Sequence, residues 1–514
     1  MSYNKKIGWL IVVSTLARIL LASSTELGNT EAYYWVLANK LEWNYFDHPP
    51  IVAWLIRLTT ANLLLHGELF VRLGAITSAA FCTWLIYRLG TLLHGQLAGW
   101  FAAFLYTTCL YASIGIGVYI LPDSAQMVFW ISSLIAIIKL LECEPNQTRY
   151  KLLWLVFGVL TGLCIMSKVH GVFIWIGVIS YILIYDRCHL KSPYLYISLL
   201  VSLLITSPIF IWNIQNYFAS YQFQSQRVNL SQGSFSIIRF GKSLGELFFS
   251  FGPFQIILIV IGLLQAFKAK LNINSKAVKI LLLCNLPLIL ILIAISLFHE
   301  TLPHWPGPPL SALIVIPAVW LTKLRAVTQN KLPGVLTTAL TYAIIIIAAG
   351  TLGVNFYPGT MSKQQTGMKI GAEDATLDMY GWKNAGHVFD SIYKKDLSEN
   401  IIQRDAPLIV THWIPAAHID YYITSNTRLR TYGLGGIDSL HQYYYTNKLK
   451  KHLLKGEDAY YLIPSNLFDY GTFDKVTNSF DSFTVDLIFS QYRSGIECKK
   501  FYIFRLKGFK GNSF

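Results

Sequence analysis

From near the N-terminus to residue 354 the chain is a succession of apolar runs, each close to the length needed to cross a hydrocarbon core about 30 Å thick. They fall at about residues 7–24, 70–90, 97–117, 124–141, 152–167, 170–185, 194–212, 247–267, 278–298, 308–322 and 334–354. Backbone N–H and C=O groups in hydrocarbon must be satisfied within their own segment, so such runs are helices. They predict a polytopic α-helical membrane protein with about 11–13 transmembrane helices. A hydrophobic content of 54% and a mean hydropathy of +0.45 exclude a string of ordinary soluble domains. The stretch from Ile51 to Leu65 is apolar but interrupted by Arg57, which predicts a helix lying along the membrane surface or re-entering it.

Lysine and arginine in short loops set orientation. Lys5 and Lys6 place the N-terminus in the cytoplasm. Alternation then puts Arg149 and Lys151, Arg187 and Lys191, Lys268, Lys270 and Lys276, and Lys323, Arg325 and Lys331 on that same side. The net charge of +15 thereby fits membrane orientation better than nucleic-acid binding. The first run has the basic start of a signal peptide but lacks a small-residue cleavage site, so a retained span is expected. The seven cysteines form no CxxC pair and predict neither a disulfide framework nor a thiolate zinc site.

The same topology gathers the polar constellations on the opposite, outer face. In a chain only 13% charged, residues 26–50 place Glu26, Glu31, Glu42, Asp47 and His48 among Tyr33, Tyr34, Trp35, Trp43, Tyr45 and Phe46. Interfacial belts explain the aromatics, but ionisable groups at that depth are expensive and usually functional. Asp123 follows Pro122 at the start of a run, where it either caps a helix or serves as a catalytic or metal-binding carboxylate. Lys168 and His170 interrupt two runs in SKVHG, either as solvated hairpin residues or with the lysine binding a lipid phosphate as a point charge.

A long outer loop is expected from Trp212 to Glu246, carrying Trp212, Asn213 and Arg227 with aromatics and amides suited to sugars. His304 and Trp305 sit in LPHWPGPP, stiffened by prolines into either a helix stop or a fixed loop over a site. Arg72 is expected to snorkel, or to hold a phosphate. No Walker loop, GxGxxG, GxSxG or HExxH is present. Any transferred group would therefore come from a membrane-borne donor.

Beyond Val354 charges mix with strand-like runs, APLIVTHWI, DAYYLIP and KKFYIFRL, and turn signals at YGLGGID and FDYGTFD. These predict a soluble α/β domain over 355–514 on the outer face, following a helical membrane domain over 1–354 whose first outer loop spans 25–69.

Taken in order, TEAYYW and FDHPP, PD before a span, SK at a span end, SPIFIWN followed by FQSQR, and PHWPGP resemble the bacterial branch of the GT-C membrane glycosyltransferases. The chain looks similar to the protein O-mannosyltransferase and lipid A aminoarabinose transferase families over residues 8–320. That resemblance implies transfer of a sugar from a polyprenyl-phosphate carrier to a lipid or protein acceptor on the outer face of the bacterial cytoplasmic membrane, with inversion. It also implies membrane lipids as neighbours and no nucleic acid.

Glu31, Asp47, His48 and Asp123 become the catalytic candidates. Tyr34, Arg72, Lys168, His170, Trp212, Asn213, Arg227, His304 and Trp305 become the substrate-binding ones. Glu31 and Asp123 are the candidates to hold a divalent metal ion. The family's first loop usually carries an Asp-Glu pair, whereas Thr30 and Glu31 stand here. A phosphate acceptor, already anionic because its second pKa is about 6, would need no strong base. A lipid or sugar-lipid transporter and a non-catalytic scaffold are the rival classes.

Overall fold

The computed structural model describes residues 2–145, 147–229, 233–268, 274–327, 333–427 and 429–511. The apolar runs are helical. In chain order the helices of this part are α1 (Tyr3–Ala22), α2 (Asn29–Asn39), α3 (Ile51–Thr59), α4 (Glu68–His94), α5 (Gln96–Thr107), α6 (Pro122–Leu140), α7 (Thr148–Ser167), α8 (Val172–Tyr185), α9 (Pro193–Gln215), α10 (Ala219–Gln226), α11 (Ile237–Phe251), α12 (Pro253–Phe267), α13 (Ser275–Ile295), α14 (Gly307–Leu313), α15 (Val315–Val327) and α16 (Gly334–Phe356). The protein is a multi-pass membrane protein. Among the described residues, 7 helices are long and apolar enough to span alone, and α11 with α12 makes up to 8.

That number is smaller than the run count for local reasons. α1 carries Lys5, Lys6 and Arg18 within its 20 residues. α5 stops after 12 residues and is followed by the π-helical turn Tyr111–Gly115. α11 and α12 are bent by 100°. Gly252 makes that bend, with φ +125 and Pro253 opening the next helix, and a Cβ there would lie 2.4 Å from Gln255 Oε1. Of the cytoplasmic-loop cations, Lys270 and Lys331 lie outside the described residues. The expected loop from Trp212 to Glu246 is largely helical instead. Trp212 and Asn213 close α9, and the amides of the following stretch build α10.

The chain forms two compact units. The first comprises Met1–Ala22, Glu42–Leu65 and Leu69–Ile347. Small residues let its helices approach closely, as association in lipid requires. A Cβ on Gly158 of α7 would meet Ser198 O of α9 at 2.4 Å, and one on Gly177 of α8 would meet Cys284 Cα of α13 at 2.5 Å. Polar side chains tie the same faces. Thr161 and Ser202 lie 2.9 Å apart, Trp175 Nε1 donates to Ser202 Oγ at 3.0 Å, and Trp130 Nε1 donates to Asn285 Oδ1 at 2.9 Å.

The second unit combines Ser23–Leu41 and His66–Glu68 with Ala348–Phe514. Its sheet has the order β2-β1-β3-β5-β4, built from β1 (Leu408–Val410), β2 (Thr431–Gly433), β3 (Ala459–Pro464), β4 (Phe480–Arg493) and β5 (Ile496–Phe509). β1 is parallel to β2 and β3, while β5 is antiparallel to β3 and β4. The three strand-like runs supply β1, β3 and β5. The FDYGTFD turn signal forms a helix instead, Tyr470–Asn478, because Asp469 caps it by accepting from Thr472 N at 2.8 Å.

Candidate active site

Three breaks in the helices of the first unit create its polar centre. Pro122 opens α6, and the capping role expected of Asp123 is taken by Ser124, whose Oγ accepts from Leu121 N at 3.2 Å and donates to Ile116 O at 3.0 Å. Asp123 instead meets Lys168, which leaves the end of α7 in an extended conformation and is fixed by Gln126 Nε2 donating to its carbonyl at 2.8 Å. Lys168 Nζ reaches Asp123 Oδ1 at 3.0 Å and Oδ2 at 2.9 Å, with the two side chains 5% and 1% exposed. Tyr111 adds a hydrogen bond to Asp123 Oδ1 at 3.2 Å. Its ring lies against Gly307 of the PHWPGP segment, where a Cβ would come within 2.1 Å of the phenol.

Lys168 faces a cavity of about 370 Å³ whose polar lining includes Asp47, His48, His170, Asn213, Gln224, Arg227 and Trp305. α10 holds the FDHPP segment at its edge. Gln224 Nε2 donates to Asp47 O at 3.0 Å, Ser220 Oγ to Tyr45 O at 3.3 Å, and Phe46 packs on Phe223 at 4.8 Å. The Arg227 guanidinium lies 5.4 Å from the ring centres of both Phe223 and Trp305, a cation–π clamp. His170 meets Trp305 edge-on at 5.9 Å. Two buried polar atoms on the wall, His170 Nδ1 and Asn213 Oδ1, have no hydrogen-bond partner among the described residues.

Burial pushes His48 below its ordinary range, with Lys168 and Arg227 acting the same way against Asp47 and Asp123. Burial and the Lys168 field take His304 down to about 4. At neutral pH both rings are uncharged; the cavity itself is lined by the cations Lys168 and Arg227, the imidazoles of His48 and His170 and the aromatic face of Trp305. Asp123 spends both carboxylate oxygens on one ammonium, which fits an ion pair rather than a metal ligand.

Other predicted residues are placed elsewhere. Trp212 is buried in the last turn of α9 beside Asn213. Arg72 does not snorkel; it is fully buried, donates to Ala22 O at 2.8 Å at the end of α1 and stacks on Tyr119 at 5.3 Å. Glu31 and Tyr34 belong to the second unit, both buried on α2, where Glu31 Oε2 accepts from Gly28 N at 2.9 Å in half of a capping box. Glu26 caps a further helix, α17 (Trp382–Ser398), through Trp382 N at 2.7 Å and Lys383 N at 3.1 Å. Tyr111 escaped sequence reasoning because a tyrosine inside an apolar run carries no distinguishing signal, and Gly307 was visible only as part of PHWPGP.

Residues 47–212 match the dolichyl-phosphate-mannose-protein mannosyltransferase family model. The chain is 22% identical over 322 residues to the lipid A galacturonosyltransferase RgtD of Rhizobium johnstonii, an alignment spanning 62% of this chain and 66% of that protein. It is also similar to the crystal structure of ArnT from Cupriavidus metallidurans bound to undecaprenyl phosphate, with TM-score 0.64, 13% identity and 98% of both chains covered. The archaeal oligosaccharyltransferase AglB of Archaeoglobus fulgidus shares the fold more distantly, with TM-score 0.50, 12% identity, and 90% of this chain and 70% of that one covered. A multi-pass helical unit followed in sequence by a C-terminal sheet is thus the fold this chain shares with ArnT and, more distantly, with AglB. The proteins it is similar to are of the ArnT, lipid A galacturonosyltransferase and protein-mannosyltransferase kinds.

Proposed function

We propose that this protein transfers a glycosyl unit from a polyprenyl-phosphate-linked donor to a glycolipid acceptor of the lipid A kind, at the outer face of the bacterial cytoplasmic membrane. The observation that carries this reading is the Asp123–Lys168 pair facing a cavity that also holds Arg227, His48, His170, Asn213 and Trp305. Lys168 and Arg227 stabilise the leaving lipid phosphate, and Asp123 holds the lysine at a fixed point. Trp305 offers a stacking face for the sugar, while His170 Nδ1 and Asn213 Oδ1 are buried polar atoms that sugar hydroxyls would satisfy.

The acceptor oxygen attacks the anomeric carbon as the carbon–oxygen bond to the lipid phosphate breaks, through an oxocarbenium-like state and with inversion. A hydroxyl acceptor passes its proton to Asp47 or to neutral His48; an anionic phosphate acceptor has no proton to pass. The catalytic part is the first unit, and the second unit, which takes in Ser23–Leu41 and His66–Glu68 as well as the tail expected over 355–514, works on the outer face. The likeness to a lipid A galacturonosyltransferase makes a polyprenyl-phosphate-linked uronic acid the first donor to test.

The test is mass spectrometry of envelope lipids from cells with and without the protein, paired with the Lys168→Met variant. A sugar increment lost in both would support transfer and name the sugar. Labelled donor that crosses a bilayer without a new glycosidic bond would instead make the protein a transporter.

A further inference from the structure

α8 begins beside the cavity at Phe173 and runs 14 residues, about 21 Å, to Tyr185. There the connection to α9 forms a short turn, Arg187–Lys191, that brings three different donors together. Asp186, Cys188 and His189 present carboxylate, thiol and imidazole atoms that all lie within 4.8 Å of one another. Cys188 Sγ donates to Asp186 Oδ1 at 2.7 Å, and His189 Nε2 stands 3.6 Å from Asp186 Oδ2. A local side-chain turn explains the thiol contact alone, but it leaves the histidine unexplained.

That histidine is built in from behind. His189 is 5% exposed, its Nδ1 is 2.8 Å from the hydroxyl of buried Tyr150, and its ring stacks on Tyr150 at 5.7 Å and 13°. Trp154 closes its edge at 6.1 Å. Fixing one ring nitrogen from an outer partner, and so aiming the other, is how proteins orient metal-ligating histidines. We propose that Asp186, Cys188 and His189 bind a divalent, thiolate-preferring metal ion of the Zn(II) class, with Tyr150 as positioning residue, pinning the α8–α9 connection. One thiolate, one carboxylate and one neutral imidazole make a three-ligand set that balances the ion's charge, and solvent completes a tetrahedron at the exposed side. Binding replaces the Cys188 thiol proton, which is released to solvent.

Cobalt(II) titration of the metal-free, full-length protein in detergent tests this. One equivalent should bind with a thiolate-to-cobalt charge-transfer band, Zn(II) should displace it, and Zn(II) should shield Cys188, the exposed one of the seven cysteines, from maleimide. Cys188→Ser, at an exposed position, should abolish the band while leaving the melting temperature unchanged. Tyr150→Phe should weaken cobalt binding about 10- to 100-fold. Absence of the band, or a band of equal affinity in Cys188→Ser, would overturn the proposal.

Discussion

A lysine and an aspartate with side chains 5% and 1% exposed persist only as a pair, because either charge left alone in that environment must be neutralised or rehydrated. Asp123→Asn should therefore destabilise the protein by about 3–5 kcal/mol and abolish transfer. The double variant Asp123→Leu/Lys168→Met should recover most of the thermal stability yet stay inactive, as followed by detergent-phase melting and product formation. A double variant that still makes product would reduce the pair to a packing device. His304 gives a second prediction at this scale. It titrates at about 4 when folded, against about 6.5 for a free histidine. The unfolded chain thus takes up the proton first, so the stability contributed by neutral His304 is complete above about pH 6.5 and is lost as pH falls towards 4. His304→Gln should show a smaller drop in melting temperature between pH 7 and pH 5 than the parent. The motifs FDHPP, SK, WN and PHWPG were legible as sequence because charges and amides stand out from apolar runs. The pairing of Asp123 with Lys168 was not, since a carboxylate after a proline looks the same whether it caps a helix or turns away from it.

Among the elements, the approach of the PHWPGP segment to the π-helical turn bears on the Asp123–Lys168 pair through Tyr111. A methyl at Gly307 would overlap the Tyr111 ring, and Tyr111 is the neutral donor to Asp123 at 3.2 Å. Gly307→Ala should cost about 1–3 kcal/mol of stability through overpacking and lower activity further by moving Tyr111. Tyr111→Phe, which keeps the ring, separates the two effects: its activity should fall while its melting temperature changes little. α2 calls for a different substitution. Glu31 completes half a capping box, a position glutamine fills as well. Glu31→Gln keeps that cap, so a loss of product at an unchanged melting temperature would report the charge and not the cap. The helices themselves were legible from run length. Their breaks were less so, because Gly252 and the π-turn after α5 interrupt continuous apolar sequence without changing its composition.

At the scale of the whole molecule, the second unit is assembled from segments that are remote in sequence. Leu27 N donates to the Tyr422 hydroxyl across 395 positions, Tyr33 packs on Trp413 at 5.0 Å, and Trp35 meets Tyr421 edge-on at 4.9 Å. Local periodicity cannot reveal such a partnership, which is why residues 25–69 read as one loop although they divide between two units. The same partnership decides what truncation does. Ending the chain at Ile347 leaves Tyr33, Trp35 and Leu37, now 1%, 5% and 1% exposed, without their covering residues, and each large apolar side chain returned to water forfeits about 1.5–3 kcal/mol. Residues 23–41 should then become the first site of limited proteolysis in the truncated protein, while α6, α7 and α13 stay protected. A truncated chain whose 23–41 segment resists protease as the full-length protein does would mean that α2 holds its fold without the tail, and the Tyr422, Trp413 and Tyr421 contacts would then be incidental to it.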